Sequence, residues 1–302
     1  MDEKVTKLKA SVMILLGLFI LSFLLASFFN TSGLKIGNVA KIKISGLITT
    51  EGDASFLAQP VTSSSDFREF IEEAEKDGSI KAILIEINSP GGAPVASAEI
   101  ADAIKASNKP TVAWIREEGA SGAYWAASAC DKIVAHPLSI TGSIGVIGSY
   151  LQFSGLLERY NVTYERLVAG DYKDAGSPYM PLESSDRQFL QSAINEMYYY
   201  FIGSVAKNRN MSVEAVTRIA DGKFYTGMQA KKLGLVDELG GQDKAEELLK
   251  NMTNLTDIVY AEYEKKETFF DMLSKVISQQ SFAVGKGIGS GFVQQDDVKV
   301  RT

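Results

Sequence analysis

The sequence predicts an α/β fold organised around a largely parallel sheet. Two patterns carry that prediction. Short apolar, β-branched segments alternate with helix-patterned segments along the middle of the chain, and glycine- or proline-bearing turns separate them. A third observation bounds it: 302 residues, 45% hydrophobic and 23% charged, are enough to bury a sizeable core in one large domain or two smaller ones.

In chain order, "VAKIKISGLI" alternates as a strand does, and "SSSDFREFIEEAEKD" offers hydroxyl and Asp caps before Phe67, Phe70 and Ile71 at helical spacing. "KAILIEINSPGG" predicts a short apolar strand ended by Pro-Gly-Gly. "APVASAEIADAIKAS" reads as a helix, "PTVAWI" as the next strand, and "DKIVA" as a short one. The glycine-punctuated "SITGSIGVIGSYLQF" follows; then "SGLLERY" reads as helical and "VTYERLVAG" as strand-like. A long helix is expected from Ser184 to Asn210, with further helices at "SVEAVTRIA" and "GQDKAEELLK". "FFDMLSKVISQQSF" predicts an amphipathic helix, either docked on the surface or lying on a membrane, and the glycine-rich end predicts a mobile tail. No internal repeat interrupts this order.

The N-terminus departs from the average. Residues 10–34 carry no charge, and "SVMILLGLFILSFLLASFF" is almost wholly apolar, long enough for a membrane-spanning helix. A cleaved secretory signal is the alternative, but no clear A-x-A site follows the run. Lys4, Lys7 and Lys9 favour a cytoplasmic N-terminus, which would put everything after the span outside the cytoplasm. The expected organisation is a cytoplasmic tail at 1–9, an anchor in the cell membrane at 10–34, a catalytic domain at 35–265, and a helix and tail at 266–302.

Composition also narrows the chemistry. A net charge of −6 without a long basic run argues against nucleic acid as a partner. Cys130 and His136 are the only cysteine and histidine, so an intrachain disulfide and His/Cys metal clusters are unavailable. Hydrolytic chemistry is expected to need no metal or cofactor.

Within "GASGAYWAASACDKIVAHP", Ser121 lies among glycines and alanines. Such a stretch suits close helix packing; it equally suits a nucleophile on a turn that a substrate backbone must approach. At a helix N-terminus Ser121 would meet free N–H groups and the positive end of the dipole, and Gly122 would supply an N–H directly after it. A plain N-cap serine is the bland alternative. "INSPGG" could present further main-chain donors to the anion that forms on an attacked carbonyl. A serine needs a base. His136, fifteen residues on, is one candidate; Lys173 in "VAGDYKDAGSP" is the other. A lysine acts as a base when desolvation or nearby positive charge favours its neutral form, whereas its neighbours Asp171 and Asp174 oppose that unless their carboxylates point to solvent.

Five ordered segments, "INSPGG", "GASGAYWAASACDKIVAHP", "SITGSIGVIG", "AGDYKDAGSP" and "YTGMQAKKLGLVDELGG", resemble the signal peptide peptidase A family in its short, single-domain form. The resemblance runs from about Val39 to about Leu249. It implies a Clp-protease/crotonase-like fold, a repeated ββα superhelix behind an N-terminal transmembrane helix. It further implies that Ser121 is the nucleophile, Lys173 the general base, Ser143 the residue orienting that lysine, and Gly92 and Gly122 the oxyanion donors. Ala123 replaces the family's usual second glycine after the nucleophile. The resemblance also implies a homo-oligomeric ring pairing one protomer's serine with the next protomer's lysine, with peptide substrates such as spent signal peptides. A crotonase-type acyl-CoA enzyme, a Ser-Lys protease for one specific membrane protein, and a non-enzymatic scaffold remain the competing readings.

Overall fold

A computed structural model describes residues 13–22, 36–51 and 60–265. The chain divides into two units, Met1–Tyr263 and Glu264–Thr302, and the first holds every strand described below. Of the expected anchor, residues 13–22 form a helix, α1, with exposed side chains; the rest of 10–34 lies outside the described residues. No helix among the described residues is long and apolar enough to cross a membrane. The expected C-terminal helix and tail also lie outside them.

The core elements begin with strand β1 (Val39–Thr49), β2 (Val61–Ser63) and helix α2 (Ser64–Lys76). The Ser63 hydroxyl caps α2 by accepting the Asp66 N–H, and Phe67, Ile71 and Ala74 turn inward. Next come β3 (Ala82–Gly92), α3 (Pro94–Ala106), β4 (Thr111–Ala120) and α4 (Gly122–Ser128). Then β5 (Lys132–Ala135) and β6 (Ile140–Gly142) precede α5 (Ser154–Arg159) and the 26-residue α6 (Ser184–Arg209). The chain closes with α7 (Val213–Thr217), β7 (Phe224–Thr226), α8 (Gly227–Lys232), β8 (Glu238–Leu239), α9 (Gln242–Thr253) and β9 (Tyr260–Tyr263).

The sheet runs in the order β2-β1-β3-β4-β5-β8, with β6 on β4, β7 on β6 and β9 on β1. Every pair is parallel except β6–β7. Both faces are covered where the strands read as unbroken apolar runs. Ile83, Ile85 and Ile87 of β3 join the larger core, which also takes in residues of α2, α3, α4 and α6. On the other face Ala82, Leu84, Val112 and Val134 pack with Ala245 and Leu249 of α9. Farther along that face, Glu86 is 8% exposed and receives Lys41 at 2.9 Å and Arg116 at 2.8 Å.

As expected, Pro-Gly-Gly ends β3, at Gly92; β1 shifts register after Ser45 and pairs Leu47 with Gly91 and Ile48 with Gly92. One local expectation fails. "VTYERLVAG" forms no strand. Residues 162–170 are irregular and exposed, so their alternating apolar pattern has no neighbour to pair with. This segment belongs to an arm, residues 147–183, that leaves the sheet and contacts the first half of α6. Tyr172 lies 5.2 Å from Phe189, ring to ring.

Candidate active site

Strand β4 delivers Ser121 at its C-terminal end, one residue before α4. Its backbone takes φ 52° and ψ −124°, a conformation that L-residues rarely adopt. Two backbone bonds hold it there: the Ser121 N–H donates to Gly142 O at 2.8 Å, and Ser121 O accepts the Trp125 N–H at 3.0 Å. Ser121 stands at the N-cap, yet its hydroxyl makes no capping bond. The bland N-cap reading therefore does not account for it.

The close-packing explanation of the small-residue stretch holds. Helix α4 is buried along its whole length, and its glycine and alanines let it press against β3 and α3. Trp125 stacks on Phe201 of α6 with centroids 4.6 Å apart and donates its indole N–H to Ser204 Oγ at 2.7 Å. The Tyr124 hydroxyl donates to Leu235 O at 2.9 Å.

The end of β3 meets this turn directly. Gly91 has φ +101°, and a Cβ there would stand 2.6 Å from Gly122 N and 3.0 Å from Ser121 Cβ. A Cβ on Gly92 would stand 2.1 Å from Ile48 O, and one on Gly122 would stand 3.3 Å from Gly92 N. Backbone contact this close leaves no alternative to glycine at Gly91 and Gly92, and it gathers the peptide units of Gly92 and Gly122 beside Ser121. Ser89 fixes the approach: its hydroxyl donates to Gly46 O at 2.5 Å and accepts the Gly91 N–H at 3.1 Å.

Ser143 is the next residue after Gly142, the acceptor for Ser121, so the two serines end neighbouring strands β4 and β6. It too has positive φ, 50°. Its hydroxyl donates to Gly222 O at 3.3 Å, and its N–H donates to Lys223 O at 2.9 Å. The expected partner is Lys173. It lies exposed in a turn of the arm, its N–H bonded to Gly170 O at 3.1 Å. Among the described residues no hydrogen bond or ion pair joins its ammonium to Ser121 or Ser143.

Asp174 does not simply face solvent. Arg166 grips it through Nε at 2.5 Å and Nη2 at 2.7 Å, and that hydrogen-bonded guanidinium holds its carboxyl below the usual carboxylate range. The carboxylate expected to oppose a neutral Lys173 is thereby engaged by an arginine. Asp171 is exposed. His136 sits exposed just past β5, where its Nδ1 accepts the Leu138 N–H at 3.2 Å, in an open depression shared with Trp114 and Arg116. Among the described residues no group of three or more His, Cys, Asp or Glu side chains could hold a metal.

Sequence reasoning missed Ser89 and Gly142, because both act through partners distant in the chain.

Residues 103–256 match the family model of peptidase family S49. The chain belongs to peptidase family S49. Over 246 residues this S49 chain is 37% identical to a Methanocaldococcus jannaschii protein provisionally named a protease, covering 80% of this chain and 76% of that one. A protein of Enterococcus faecium provisionally named signal peptide peptidase SppA is 36% identical over 235 residues, 77% of this chain and 68% of its own. Protease 4 of Salmonella typhi is 34% identical over 207 residues, 67% of this chain and 33% of its own. The S49 chain is a serine peptidase.

Proposed function

We propose that this S49 peptidase is a membrane-anchored endopeptidase that uses a Ser121–Lys173 dyad and needs no cofactor. One observation supports this most: Ser121 is held at φ 52° on a strand-to-helix turn with its hydroxyl left out of capping, beside two glycines that admit close backbone approach. Strain at a functional residue is a recognised form of pre-organisation. In the proposed reaction Ser121 Oγ attacks the scissile carbonyl as its proton passes to Lys173 Nζ. The Gly92 and Gly122 N–H groups receive the developing oxyanion, and Lys173 then protonates the leaving amine. Water hydrolyses the acyl-enzyme with Lys173 again taking the proton, and Ser143 orients the lysine.

Lys173 reaches Ser121 in this reading from the next protomer of a closed ring. Its exposed position in the arm supports that, as do the arm's bare apolar residues, with Leu167 fully exposed and Ile147 89% exposed. The scaffold would be the Clp-protease/crotonase-like superhelix, and the β3–α3 and β4–α4 units have the matching strand-then-helix order. The uncharged stretch at 10–34 supports an anchor with the catalytic domain outside the cytoplasm. Extended peptides, spent signal peptides among them, are the proposed substrates, bound as an added strand.

The test is peptide hydrolysis by purified variants. Ser121→Ala and Lys173→Ala are expected to lose activity while keeping the fold. Lys173→Arg is expected to be equally inactive, because a guanidinium stays protonated. His136→Ala is expected to keep most activity; its loss in folded protein would overturn the lysine assignment.

A further inference from the structure

We infer that Ser97 is a positioning residue that sets the spacing between the two main-chain donors at Gly92 and Gly122, an inference resting on the oxyanion role proposed for those glycines. Ser97 lies in the first turns of α3 and is fully buried. Its hydroxyl donates to Ala93 O at 2.9 Å. Ala93 in turn donates its N–H to Ile48 O at 2.8 Å, so the residue following Gly92 is pinned between β1 and Ser97. The same hydroxyl abuts the other donor residue. A Cβ on Gly122 would stand 2.1 Å from Ser97 Oγ, 2.9 Å from Ser97 Cβ and 3.3 Å from Gly92 N. One side chain thus props Gly122 and bonds the carbonyl of Ala93, the residue that follows Gly92.

Packing alone does not call for a serine there. The other buried positions of α3, Ala96, Ile100, Ala101, Ala103 and Ile104, are apolar, and alanine is the better helix former. A serine that bonds back to the carbonyl four residues earlier adds little to a helix. What the hydroxyl does add is bulk and a fixed bond at the one place where both donors converge. Oxyanion donors work by being in place before charge develops, within about half an ångström of the productive geometry. Ser97 is set behind the two donor glycines, so its loss should act on the transition state more than on substrate binding.

The experiment compares the full-length parent, Ser97→Ala, Ser97→Thr and Ser121→Ala with one fluorogenic peptide and one peptide aldehyde. The aldehyde's hemiacetal oxygen occupies the oxyanion position. Ser97→Ala puts a better helix former at a buried helix site, so folding is retained. It is expected to lower kcat about tenfold, less than the roughly hundredfold loss on removing a donor outright, and to weaken aldehyde inhibition equally with KM unchanged within about twofold. Ser97→Thr keeps a hydroxyl able to bond the same carbonyl and is expected to recover most of kcat. Parental kcat and aldehyde affinity in Ser97→Ala would overturn the inference. Equal kcat losses in both variants with undiminished aldehyde affinity would do the same. Parental turnover in Ser121→Ala would instead mark failure of the proposed nucleophile, a result distinguishable from either.

Discussion

Ser121 and Gly91 show what the turn costs and why it is kept. A non-glycine residue at φ 52° stores about 1–3 kcal/mol of strain. Ser121→Gly is therefore expected to raise stability by about 1 kcal/mol, a gain of a few degrees in Tm, while abolishing hydrolysis. Calorimetry and a peptide assay on the same sample check both halves. Gly91→Ala should act in the opposite sense on stability. Its Cβ would meet Gly122 N at 2.6 Å and Ala120 O at 2.9 Å at a φ of +101°, so about 1–3 kcal/mol of stability and nearly all activity are expected to be lost. At this scale the sequence was informative where chemistry is local. The crowd of small residues around Ser121 and the glycines of "SPGG" announced a tight backbone approach. Ser97, Gly142 and the Arg166 grip on Asp174 were not legible, because each acts through a partner that only the fold supplies.

Helix α4 and strand β3 carry the site, and their stability can be read off their contacts. Trp125 is 4% exposed and ties α4 to α6 through Phe201 and Ser204. Trp125→Ala is expected to cost about 3–5 kcal/mol, measurable by denaturant unfolding. On the other face of β3, burial would by itself raise the pKa of Glu86. Lys41 and Arg116 outweigh that burial and hold the carboxyl below its ordinary value of 4.5. Because the folded pKa is depressed, the stabilisation is present above pH 4.5 and fades as pH falls from there through the folded value. Glu86→Gln is thus expected to be less stable at neutral pH and to show a shallower loss of stability on acidification, as thermal melts across that range would show. The apolar runs announced most of these elements in advance. They misled at "VTYERLVAG", where alternation was present but no strand stood beside it.

For the molecule as a whole, the proposed ring would complete the site through the arm at 147–183. The arm exposes Ile147, Leu151 and Leu167, and among the described residues no bond joins Lys173 to either serine of its own chain. The α/β architecture was legible because strands and helices alternate in sequence; the arm's course was not, since its apolar residues face away from its own core. Leu167→Asp is expected to dissociate the proposed ring, giving smaller, inactive species by light scattering. The most direct measurement co-assembles equal amounts of Ser121→Ala and Lys173→Ala subunits, isolated as mixed rings with two tags. Roughly a quarter of interfaces would then join an intact serine to an intact lysine, so partial peptidase activity is expected where each variant alone has none. Mixed rings with no recovered activity would contradict a site shared between neighbours.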